Sequence, residues 1–122
     1  KEGPQGGIVI ENPNEPLSVQ PIDALTYKSM RESGQEHRLF DVRTQEEWNR
    51  ANINGAELLD DSSFQKLADL PKETVMVFVC HHGIRSMQAA NQLVQKGFRN
   101  VYNLEGGIDA WSIYADPSVP RY

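Results

Sequence analysis

The feature that most limits the fold is a five-residue apolar run, Val75-Met76-Val77-Phe78-Val79, which ends at the chain's single cysteine, Cys80. A short, unbroken run of this kind suits a strand buried on both faces of a parallel sheet, since a strand with one wet face would alternate. Beyond it, from about Arg85 to Lys96, helical spacing puts Met87, Ala90, Leu93 and Val94 on one face, with Gln88, Asn91, Gln92 and Lys96 turned mostly away. Cys80 therefore stands where a buried strand gives way to a helix. In open α/β sheets that carboxyl edge is where ligands bind.

Between strand and helix run His81, His82, Gly83, Ile84, Arg85 and Ser86. Backbone N–H groups of such a loop and of the first helical turn lack intrahelical partners and are free to point inward. The helix N-terminus adds partial positive charge, Arg85 a full charge, and His81 and His82 a further share when protonated. These surroundings favour the thiolate, which is the nucleophilic form of cysteine, and they also suit an anionic substrate or a terminal sulfur anion. Cys80 is thus the candidate catalytic nucleophile, and His81 to Ser86 form the candidate substrate-binding loop. Ser86 is expected to cap the helix or orient the loop. The structural alternative, an inert buried cysteine at a strand end, is disfavoured by Gly83, Arg85 and the flanking elements.

Written as Cys-x4-Arg-Ser after a valine-rich strand, Cys80 to Ser86 resembles the active-site loop of rhodanese-homology sulfurtransferases. Two further stretches are similar to that family: Asp41-Val42-Arg43 with Glu47-Trp48 and Ile53-x-Gly55-Ala56, and Gly106-Gly107-Ile108-Asp109-Ala110-Trp111. The likeness runs from roughly Leu17 to Tyr122 and keeps the three motifs in the family's order and spacing. Where the family commonly has Gly-His-Ile-Pro-Gly-Ala, this chain has Ala51-Asn52-Ile53-Asn54-Gly55-Ala56. Asp41 at a strand end reads as a turn acceptor or cap. Arg43 and Glu47, four apart, read as a paired brace near the site, which the resemblance also implies. Gly106-Gly107 reads as a tight turn with close backbone packing, and Trp111 as core. Trp48 reads as packing or pocket lining, His37 as a solvated loop residue, and 116–120 as an extended wrap without chemistry.

The rest of the chain fits an α/β domain. Expected strands are 18–20, 38–42, 56–59, 75–79 and 101–104. Expected helices are 24–32 with Asp23 as N-cap, 44–50, 62–67 with Phe64 and Leu67 inward, 85–96 and 108–114. Strands alternating with helices predict a mostly parallel sheet of about five strands with helices on both faces and right-handed crossovers. Rhodanese-like domains are similar in architecture. Residues 1–16 read as a linker or flexible lead, broken by Gly3, Pro4, Gly6, Gly7, Pro13 and Pro16, with at most a short edge strand at 7–10. Residues 17–122 read as one domain. The lead, and a start at Lys1, point to a module of a longer multidomain chain.

At 122 residues, 39% hydrophobic and 24% charged, the chain is an ordinary globular one with room for a core. A net charge of −5 argues against nucleic acid or an anionic membrane as main partner. One cysteine excludes an internal disulfide and a Cys-x-x-Cys site, so a reducing, cytoplasmic setting is expected. His81 and His82 beside Cys80 make three soft donors without a fourth, so no metal and no cofactor is expected.

The resemblance implies a sulfurtransferase. Cys80 would take sulfane sulfur from an anionic donor, thiosulfate or the persulfide of a partner protein, and a thiophile such as cyanide or a thiol would remove it. Cysteine-dependent phosphatases and arsenate reductases are one alternative. The former carry five residues between Cys and Arg against four here, and the latter need a resolving cysteine this chain lacks. A non-enzymatic sulfur-carrier or docking module of a larger protein is the other.

Overall fold

The computed structural model describes residues 18–122. The linker expected over 1–16, and the strand within it, lie outside the described residues. Five strands form one sheet: β1 (Gln20–Ile22), β2 (Arg38–Asp41), β3 (Glu57–Leu58), β4 (Val75–Val79) and β5 (Asn100–Leu104). They lie in the order β1-β5-β4-β2-β3, and every neighbouring pair is parallel. The helices are α1 (Ala24–Glu32), α2 (Gln45–Arg50), α3 (Asp61–Lys66), α4 (Ile84–Gln95) and α5 (Gly107–Ala110). A 3₁₀ turn (Leu67–Asp69) follows α3, and a wider turn (Trp111–Ala115) continues α5.

The apolar run makes β4 central. Met76 and Phe78 point to one face, with Phe40, Leu67, Ala90, Leu93, Phe98 and Val101. Val77 and Val79 point to the other, with Tyr27, Leu39, Ile53, Leu104, Ile108 and Trp111. The strand period of two therefore sends alternate residues into two cores, one under α4 and the other under α1 and α5. Tyr27, Phe40, Phe78 and Phe98 have no exposed surface, and burial of each side chain contributes roughly 1.5–3 kcal/mol.

Local chemistry sets the helix starts. Asp23 accepts from the Thr26 N–H at 2.7 Å, and Thr44 and Asp60 complete capping boxes with Glu47 and Ser63. Three expectations need correction. β1 begins two residues later than expected and runs through Pro21, which a sheet edge tolerates because the missing N–H has no ladder partner to lose. Met87 lies outside the core, 44% exposed, because it stands one step off the stripe that Ser86, Ala90, Leu93 and Val94 turn inward. His37 is half-buried rather than solvated. Its Nδ1–H donates to the Gln35 carbonyl at 2.8 Å, leaving Nε2 to accept the Tyr27 hydroxyl at 2.7 Å.

Candidate active site

Asp41 and Val79 are paired across β2 and β4, and Phe78 is paired with Asn103 across β4 and β5. Cys80 follows directly, in the middle of the sheet's carboxyl edge. Two donors face its sulfur, the Gly83 N–H at 3.1 Å and the Ser86 N–H at 3.3 Å, and the Ser86 hydroxyl oxygen lies 3.2 Å from it. Ser86 does not cap the helix. That position is held by Gly83 at φ +103°, a conformation that costs little only without a Cβ. The cysteine as a whole is 1% exposed, so only a slender terminal atom of a reactant can reach it.

The loop holds its amides inward because its carbonyls are engaged elsewhere. The Ile108 N–H donates to the Cys80 carbonyl at 2.8 Å and the Asp109 N–H to the His81 carbonyl at 3.2 Å. Gly107 permits this contact: at φ +62°, a Cβ there would run into the carbonyl oxygens of both Cys80 and His81. Asn103 clamps the other side. Its Nδ2 donates to the Gly83 carbonyl at 3.0 Å, and its Oδ1 accepts from the Ser86 hydroxyl at 2.5 Å.

Around the mouth, every arginine bonded to a site residue is tied to a carboxylate. Arg85 makes a two-point ion pair with Glu47, at 2.7 Å from Nη1 and 2.9 Å from Nη2. Its hydrogen bonds hold the Glu47 carboxyl well below the usual range, the Tyr122 hydroxyl and Thr44 N–H adding to the effect against a cost of burial. Arg43 pairs with Asp41 rather than with the Glu47 carboxylate, at 2.7 Å, with both side chains fully buried. Asp41 also accepts from the Arg43 N–H at 3.0 Å, which is the turn role its place suggested. The expected brace failed because Arg43 precedes α2, so four-residue helical spacing does not govern it. Its guanidinium instead reaches the Ala51 carbonyl at 2.7 Å and the Tyr122 hydroxyl at 2.9 Å.

Tyr122 is the residue the sequence reading missed altogether. The tail does wrap, but its last ring stacks on His81 at 4.0 Å and 10°, and its backbone carbonyl accepts from His81 Nε2 at 3.1 Å. His81 in turn stacks on His82 at 3.9 Å. Burial first, and the neighbouring His82 second, push the His81 pKa down. Ile84 stands 72% exposed on the rim, and Trp48 is half-buried on α2. His81, His82 and Asp109 bring one ligand atom each within 4.8 Å of one another. Both Asp109 oxygens are taken by Arg121, at 2.8 and 3.3 Å.

The model of the Rhodanese-like domain family matches residues 23–114, three quarters of the chain and all of the site except Tyr122 and Arg121. The chain belongs to the rhodanese-like domain family. Among its relatives, the thiosulfate sulfurtransferase GlpE of Pseudomonas aeruginosa is 36% identical over 106 residues, covering 83% of this chain and 93% of GlpE. The probable adenylyltransferase/sulfurtransferase MoeZ of Mycobacterium tuberculosis is 31% identical over 119 residues, covering 95% of this chain but 30% of MoeZ. This rhodanese-like domain thus spans under a third of the length of that relative. A rhodanese-like domain protein of Staphylococcus aureus superposes with a TM-score of 0.69 at 28% identity, covering 85% of this chain and 99% of the other. Among the described residues, no helix is long and apolar enough to cross a membrane.

Proposed function

We propose that this domain is a sulfurtransferase working through a Cys80 persulfide. The observation that carries the reading is the pair of backbone amides, of Gly83 and Ser86, that converge on Sγ from a loop fixed in place by α5 and Asn103. In the first half-reaction the Cys80 thiolate attacks the outer sulfur of a sulfane donor. The donor's S–S bond breaks, and its electron pair leaves with sulfite from thiosulfate, or with a thiolate from a persulfide. The loop donors hold the new terminal sulfur. In the second half-reaction cyanide or a thiol attacks that sulfur, and the Cys80 thiolate departs, which is ping-pong covalent catalysis. His81 to Ser86 form the binding loop, while Asp41, Arg43 and Glu47 hold its surroundings. The setting is cytoplasmic, and no cofactor enters either step.

The name of GlpE supports the enzymatic reading. The partial coverage of MoeZ favours a second arrangement, in which the same persulfide is passed within a longer protein. The deciding experiment is intact-mass measurement after incubation with thiosulfate or with cysteine persulfide, on wild type and Cys80→Ala. Wild type should gain one sulfur atom, removable by cyanide, and the variant none. A wild type that neither donor loads, or Cys80-dependent hydrolysis of p-nitrophenyl phosphate, would overturn the reading.

A further inference from the structure

The mouth of the Cys80 loop is poor in free positive charge. Arg85, the loop's own cation, is matched atom for atom by Glu47, Arg43 by Asp41, and Arg121 by Asp109. Glu47 is in turn anchored by the Tyr122 hydroxyl at 2.8 Å and by the Thr44 N–H at 3.2 Å, so it cannot swing away without breaking its own helix cap. Arg85 also opens onto a groove of about 230 Å³ between α3 and α4. Its lining is mixed: Val42, Leu59, Phe64 and Ala89 offer apolar surface, Gln88 and Gln92 neutral polar surface, and Asp60 and Asp61 negative charge that a dianion meets there. Ile84 and Met87, on the first turn of α4, leave further apolar surface exposed beside the loop.

A dianion such as thiosulfate gains from an unpaired guanidinium and loses near carboxylates. A donor with a carbon skeleton and at most one charge on its sulfur gains from apolar walls and is indifferent to a neutralised arginine. Resting on the sulfurtransferase reading above, we propose that Glu47 is a specificity-determining residue, which by engaging Arg85 turns the site from dianionic donors toward organic persulfides, R–S–SH. In the transfer the Cys80 thiolate bonds to the terminal sulfur and the S–S bond of R–S–SH breaks. The electron pair leaves as R–S⁻, and the proton stays on the new Cys80 persulfide.

The test compares thiosulfate with cysteine persulfide as donors to wild type, Glu47→Gln and the double variant Glu47→Gln/Arg85→Ala, with thermal melts to establish folding. Glutamine keeps an acceptor for the Thr44 N–H but cannot neutralise Arg85. The ratio of kcat/KM for thiosulfate over cysteine persulfide should rise about threefold to tenfold in Glu47→Gln, shrink again at high salt, and fall back in the double variant. Tyr122→Phe, which only loosens the anchor, should move the ratio the same way by a smaller factor, and it decides the matter if Glu47→Gln does not fold. An unchanged or lowered ratio in a folded variant overturns the role of Glu47. Failure of Cys80 to load from either donor would overturn the sulfurtransferase reading instead, so the two failures are distinguishable.

Discussion

The Tyr122 hydroxyl donates a 2.8 Å hydrogen bond to the Glu47 carboxylate, joining residues 75 apart in the chain. The same oxygen accepts from Arg43, so one phenol links the buried Asp41–Arg43 pair to the Glu47–Arg85 pair at the loop mouth. Replacing Tyr122 by Phe keeps the ring stacked on His81 and removes both bonds. A partly exposed hydrogen bond to a charged group is worth about 1–2 kcal/mol, and urea titration should show a loss of that size. An unchanged midpoint would mean that water replaces the hydroxyl at no cost.

Gly107→Ala tests the seating of the loop. The new methyl would collide with the Cys80 and His81 carbonyls, and the positive φ adds strain of its own. A loss of about 2–4 kcal/mol is expected, together with slower alkylation of Cys80 by iodoacetamide as the inward amides shift. Alkylation at the wild-type rate would show that the loop keeps its shape without α5 against it.

Asp41→Ala tests the buried ion pair. It leaves the Arg43 guanidinium without its carboxylate in a site where neither side chain touches solvent. Stranding a buried charge costs about 3–5 kcal/mol, well above any surface pair. Guanidinium unfolding of the variant should show that loss, and Asp41→Ala/Arg43→Met should recover part of it. No recovery in the double variant would point to the turn bond at the Arg43 N–H as the larger contribution.

Acid should weaken the domain in two stages. His81 has its pKa lowered on folding, so the unfolded chain takes up that proton more readily. Its contribution is whole above the ordinary value of 6.5 and is lost as pH falls through the folded value. Glu47 is a depressed carboxylate, so its contribution is whole above the ordinary 4.5 and drains away at lower pH. Melting temperature followed from pH 8 to pH 3 should therefore fall first below about pH 6.5 and again below about pH 4.5. His81→Gln should flatten the first stage, and Glu47→Gln should reduce the second, which Asp23, Asp60, Asp109 and Asp116 share as lowered carboxylates. If both variants follow the wild-type curve, other groups govern the acid response.

What was legible beforehand was what is local. β4 and α1 have the bounds their patterns predicted, and Asp23 caps α1, because burial period and capping act within a few residues. The place of Cys80 at the sheet edge followed from the same patterns. The closing contacts did not. Asn103 carried a faint signal, a lone amide on the α4 side of a strand whose Val101 is core, and a buried amide needs partners. Tyr122 carried none, since its partners at 43, 47 and 81 are set by how the tail crosses the finished sheet. Arg43 was given the wrong carboxylate because helical spacing was applied to a residue lying ahead of the helix.

The two bonds from 108 and 109 to the cysteine loop have a consequence for biosynthesis. A chain emerging from the ribosome displays its thiol well before it has the segment that shapes the surroundings of that thiol. Until residues 107–110 emerge and settle, the loop around that thiol lacks its outer support. On the proposed reading, sulfur loading thus waits for this domain to be whole.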